Sequence, residues 1–158
     1  MNVSKLPLWD FAGFDGLVLA RSLFGANVSD LSVFQSLETE WNGEDCAVLR
    51  LGETNFRVAF PAGMNAGELQ MAASGRRVWV KPSCLVSLAL DDSLAWERLV
   101  EIGAVKPPHR LAGLPLNRAV PVSVGGTAAL AWRRSRHGIL KSELQVFSAS
   151  LEEICRLF

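Results

Sequence analysis

The apolar runs in this sequence are short, and each is closed by a glycine, a proline or a charge. Residues 14–24 stop at Gly25, 46–51 at Gly52, 56–60 at Pro61, and 78–80 at Lys81 and Pro82. This punctuation leaves no run near the ~18 apolar residues of a membrane span. It also restricts the chain to short strands and short helices. With 158 residues, 49% of them hydrophobic and 20% charged, the chain is poorer in charge than an average soluble domain at about 25%. Its 16 basic and 16 acidic residues cancel. A disordered chain, which needs low hydrophobicity and high net charge, is excluded, as is a nucleic-acid binder that relies on overall charge.

The length predicts a single domain over residues 1–158. Cys46, Cys84 and Cys155 are odd in number and set among apolar neighbours. They read as small buried hydrophobes in a reducing compartment. The N-terminal apolar stretch is interrupted by Asp10 and Asp15 and lacks a signal peptide's layout. The expectation is a cytoplasmic protein that does not insert in membranes.

Periodicity predicts an α+β fold of short antiparallel strands and hairpins with three or four short helices. Leu17, Ala20, Leu23 and Phe24 mark one helix ahead of Gly25, and Leu94, Leu99 and Ile102 mark another from Ser93 to Gly103. Asn42-Gly43 and Gly125-Gly126 are hairpin turns, because both pairs tolerate positive φ. Phe56, Val58 and Phe60 alternate with Arg57 and Ala59 as a strand with one apolar face. Residues 61–75, with Gly63 and Gly67, disfavour a long helix. The connection at 106–121 holds four of the seven prolines and is the best linker or wrapping segment.

A strand, a serine cap and a helix occur twice. Val80, Leu85, Leu88 and Ala89 align with Val146, Leu151, Ile154 and Cys155, and Ser83 falls one residue from Ser150. Either the chain carries a duplicated strand-helix unit, or common residues coincide at two similar junctions.

Catalytic chemistry is hard to place. His109 and His137 have no metal-ligand spacing with each other or with a cysteine, and no nucleotide-binding glycine loop or nucleophile elbow is present. Asp91-Asp92 reads as an exposed turn, since adjacent residues do not share a helix face. The expectation is no enzyme activity, no metal and no cofactor. The local charge anomaly is Arg133, Arg134, Arg136, His137 and Lys141 beside Trp132, read as a basic hairpin tip that is either solvated or meets an acidic protein. Trp79, Trp96 and Trp132, with Arg133, Arg134 and Arg136, are the candidate partner-binding residues, because Trp and Arg dominate interface energies. Core burial is the competing reading for each tryptophan.

The closing run 138–158, Gly-Ile-Leu-Lys-Ser-Glu-Leu-Gln-Val-Phe-Ser-Ala-Ser-Leu-Glu-Glu-Ile-Cys-Arg-Leu-Phe, resembles strand-to-helix segments of the cytoplasmic-ring, or sorting-platform, proteins of bacterial type III secretion. These are relatives of flagellar switch proteins. The segment 77–83, Arg-Val-Trp-Val-Lys-Pro-Ser, is similar to an element in their N-terminal region. The resemblance implies a non-catalytic adaptor docking onto an ATPase regulator, stator or ring subunit, with oligomerisation left open; nucleic acid is not expected as a partner, because the chain offers no extended basic face. The family's C-terminal all-β module is not found within residues 1–158, so the resemblance would cover the N-terminal region alone, which leaves partner docking as the expectation and puts ring assembly by these residues in question. Two alternatives stand beside it: a secretion chaperone holding an extended client along a strand edge, and a small ligand-binding or enzymatic domain whose pocket spacing does not reveal.

Overall fold

A computed structural model describes residues 2–4, 7–90 and 93–158; Asp91 and Asp92, expected as an exposed turn, lie outside them. The fold is α+β with two antiparallel sheets and four helices. The chain, read as one domain from its length, packs as two compact units. One is Leu6–Ser83, and the other combines Cys84–Phe158 with the N-terminal strand β1 (Asn2–Ser4).

In the first unit, β2 (Leu8–Ala12) leads through a turn into α1 (Gly16–Phe24), as the spacing of Leu17, Ala20, Leu23 and Phe24 predicts. Gly16 starts this helix because nothing larger fits: a Cβ there would lie 1.8 Å from the Thr54 carbonyl oxygen. The strands β3 (Ser36–Trp41) and β4 (Glu44–Arg50) are joined by Asn42 and Gly43 at φ 53° and 78°, the paired positive angles that a tight hairpin turn requires. With β5 (Phe56–Ala59) and β6 (Trp79–Pro82) they form a sheet of order β3-β4-β5-β2-β6. Between the last two strands lies α2 (Ala66–Ala73), a helix of only eight residues. Asn65 caps it, its Oδ1 accepting from Gly67 N at 2.9 Å. Glycines at 63 and 67 thus shorten the helix rather than prevent it.

The core of this unit is aromatic. Phe11 and Phe24 stack at 6.3 Å, and Trp41 meets Phe60 edge-on at 5.0 Å. Alternation puts Arg57 on the face of β5 opposite Phe56 and Val58, yet it too is buried. Asp10, its cross-strand partner, accepts from Arg57 Nε at 2.7 Å and from Nη2 at 3.1 Å. This bidentate geometry keeps the largely buried guanidinium paired.

The three cysteines do not share one environment. Cys46 is buried on β4, Cys155 is half-buried, and Cys84 is exposed, contrary to its expected burial. Burial, reinforced by Asp45 and Glu40, pushes the Cys46 thiol up to about 12, so at pH 8 it carries almost no reactive thiolate. A disulfide reagent at that pH is expected to modify Cys84 first and to reach Cys46 only after denaturant is added. Immediate modification of all three thiols in native protein would contradict this environment for Cys46.

In the second unit, β7 (Leu85–Ala89), α3 (Ser93–Ile102), β8 (Gly103–Ala104), β9 (Arg118–Val124), β10 (Thr127–Arg136), β11 (Ile139–Phe147) and α4 (Leu151–Cys155) follow in order. The sheet order is β1-β7-β11-β10-β9-β8. Gly125 and Gly126 turn β9 into β10, with φ 58° and 85°. Pro121 faces Leu130 of β10, while β8 reaches only Ser123 and Val124 of β9, so the proline sits where β8 needs no donor from it.

Two expectations change here. Residues 85–89 form a strand, not a helix capped by Ser83. Leu85, Leu88 and Ala89 fit a helical spacing, but Val86, Leu88 and Leu90 also alternate with Ser87 and Ala89, and pairing to β1 and β11 on both sides selects the period of two. The strand-helix duplication therefore disappears. The proline-rich 106–121 stretch lies inside this unit, where Leu111 and Leu114 are buried against Leu88, Leu99, Val122, Leu144 and Ile154. It wraps the core, and the division between units falls at residues 83 and 84. Among the described residues, no helix is long and apolar enough to cross a membrane.

Candidate functional site

The arginine cluster does not form a hairpin tip. The tip between β10 and β11 is His137-Gly138, at φ 50° and 73°, while Arg133 and Arg134 lie within β10. Strand alternation sends these two neighbours to opposite faces of the sheet. They therefore belong to two different constellations, and β10 is the element that positions both.

Arg134 shares its face with Trp132. The register sets Trp132 opposite Glu143 of β11 and sets Gln145 opposite Ser87 of β7, so a polar row crosses the centre of the sheet. Ser87, Arg134, Glu143 and Gln145 are all buried, and Trp132 is completely so. Glu143 Oε1 accepts from Arg134 Nε at 3.0 Å and Nη2 at 2.6 Å, and its Oε2 accepts from Ser87 Oγ at 2.9 Å. The guanidinium carbon lies 5.1 Å from the Trp132 ring centroid. Both carboxylate oxygens are thus occupied, as a buried charge requires.

Arg133 continues the opposite, apolar face of β10 beyond Ala129 and Ala131. There the sheet and α3 leave a cleft of about 240 Å³, lined by Leu90, Ser93, Trp96, Glu97, Arg133, Leu140 and Ser142. Trp96 comes from α3, and Ser142 is the cross-strand partner of Arg133. The Arg133 guanidinium sits 5.1 Å from the Trp96 centroid, and its Nη1 donates to the Leu114 carbonyl at 2.7 Å. That carbonyl belongs to the proline-rich segment, whose wrapping fixes the arginine's height over the ring. Arg133 Nε is buried and makes no hydrogen bond. Among the described residues neither Arg133 nor Glu97 has an ion-pair partner.

Of the six candidate residues, the structure unites Trp96 with Arg133 and Trp132 with Arg134. Burial removes Trp132 and Arg134 from any surface role. Arg136 ends β10 opposite Ile139. Trp79 stands apart in the first unit, 79% exposed on β6 beside Gly13, Arg76, Arg77 and Val78. There Arg77 lies 4.0 Å over Phe14 and pairs with Asp15 at 3.7 Å. Glu143, Ser87, Ser142 and Glu97 were not anticipated. The available signal was Glu143-x-Gln145 alternating with Leu144 and Val146, which predicts two polar side chains on one face of a strand that is otherwise apolar.

No protein-family profile matches the chain, and no curated protein does. Among solved structures it is similar to the glycine cleavage system aminomethyltransferase T from Bartonella henselae, with a TM-score of 0.76 at 18% identity over 96% of this chain. This chain spans 42% of that enzyme. At such identity the likeness establishes the fold. It also overturns the secretion reading: the two segments that carried that resemblance are β6 of one sheet and the β11–α4 junction of the other, in an aminomethyltransferase-like fold.

Proposed function

We propose that this chain is a small-molecule-binding domain on an aminomethyltransferase-like scaffold, with the Trp96–Arg133 cleft as its site. The observation that carries this reading is a guanidinium stacked on an indole at the wall of a cleft, with one N–H fixed by a backbone carbonyl and no acidic partner among the described residues. A cation held against an aromatic face is pre-oriented, so less entropy is lost when a ligand arrives. The volume lies just below the ~300–1,000 Å³ of sites for drug-sized ligands, which favours a small metabolite.

The role proposed is binding rather than turnover. Ser93 and Ser142 supply hydroxyls, Arg133 and Glu97 supply charge, and the lining described includes no histidine to activate either serine. The fold likeness supports a domain that handles a ligand, since that neighbour is by name a transferase. A screen of small charged metabolites by thermal shift is expected to return compounds that raise the melting temperature of the wild type but not of Arg133→Ala, because ligand bound only to the native state stabilises it by mass action. A screen without hits, or hits equally effective on Arg133→Ala, would overturn the proposal.

A further inference from the structure

Arg133 and Glu97 are opposite charges on the wall of one cleft, yet they do not pair: no contact within 4 Å joins them, and neither finds another ionic partner among the described residues. An ordinary surface pair closes on itself. Here Arg133 is held away, stacked on Trp96 and tethered to the Leu114 carbonyl at 2.7 Å, while Glu97 stands one residue further along α3. The same cleft is lined by two hydroxyls, Ser93 and Ser142, and by the apolar side chains of Leu90 and Leu140.

From this arrangement we infer that the ligand is a zwitterion of the α-amino acid class, its carboxylate on Arg133 and its ammonium on Glu97, with an apolar side chain against Leu90, Leu140 and Trp96. The inference rests on the cleft being a ligand site and names what the site takes. A simple anion would leave Glu97 opposing it, and a simple cation would leave Arg133 doing so. A dipolar ligand satisfies both. Size agrees as well, since at ~30 Å³ per water-sized group the cleft takes about eight non-hydrogen atoms, which is the size of valine. Each half of the ligand makes charge-assisted hydrogen bonds that the other cannot replace, so either half alone should bind at least about tenfold more weakly than the whole.

The test compares L-valine with isovalerate, which lacks the ammonium, and isobutylamine, which lacks the carboxylate, by calorimetry on the full chain. L-Valine is expected to bind about tenfold or more tightly than either. Glu97→Gln should reduce L-valine affinity by about tenfold while leaving isovalerate unchanged or tighter, and Arg133→Gln should weaken both. Native circular dichroism of the two variants, both at positions outside the buried core, checks that they fold. If isovalerate or isobutylamine binds as tightly as L-valine, the zwitterion inference fails and the cleft remains a ligand site. If none of the three binds while metabolites of another class bind in an Arg133-dependent way, the ligand class is wrong and the site is right. If nothing binds, both are wrong.

Discussion

Glu143→Ala is expected to lower the unfolding free energy by about 3–5 kcal/mol, a large part of the 5–15 kcal/mol that a typical domain possesses. The reason is the partner left behind. Arg134 is 4% exposed, and both of its bonds to Glu143 go to one oxygen, so the substitution strands a guanidinium in a site without water. Ser87 loses its acceptor at the same moment. The pair itself contributes far less than this, because desolvation of two ions offsets most of their attraction. Arg134→Met combined with Glu143→Leu should therefore recover most of the loss. Urea denaturation of Glu143→Ala and of the Arg134→Met, Glu143→Leu double variant measures it. Equal losses in the single and double variants would show that the charges were not buried as a pair.

Trp132→Ala is expected to cost about 3–5 kcal/mol, the range for truncating a large aromatic in a packed interior. Trp132 is completely buried and also carries the Arg134 guanidinium at 5.1 Å, so its loss and that of Glu143 should be strongly non-additive. Trp79→Ala is the control. With 79% of its surface exposed, its removal should change stability by no more than about 0.5 kcal/mol. Comparable melting temperatures for Trp132→Ala and wild type would contradict the burial on which the polar row depends.

Local chemistry made much of the fold legible. Asn42-Gly43 and Gly125-Gly126 are turns wherever they occur between strands, and the helices at Gly16–Phe24 and Ser93–Ile102 follow from apolar spacing and a glycine stop. What was not legible depended on long-range pairing. Residues 85–89 satisfy a helical and a strand period equally, and only the β1 and β11 neighbours decide between them. The site was half-visible for the same reason. Arg133 and Arg134 stood out as a run of charge, but a run becomes two unrelated groups once β10 alternates them across a sheet. That Trp96 of α3 faces Arg133, and that Glu143 crosses the hairpin to Arg134, are consequences of register and helix packing that neither spacing nor composition contains. The partner-binding reading fails at this level for Trp132 and Arg134, because the sheet buries both, and for Trp132 the competing reading of core burial is the one the structure bears out.

Chemical-shift mapping with L-valine tests the central claim most directly. In a two-dimensional amide spectrum of the full chain, the predicted result is saturable shifts at Ser93, Trp96, Glu97, Arg133 and Ser142, with the resonances of Gly13, Arg77 and Trp79 unchanged. The opposite result, shifts absent from the Trp96–Arg133 cleft or confined to the surface around Trp79, would contradict the assignment of this cleft as the ligand site.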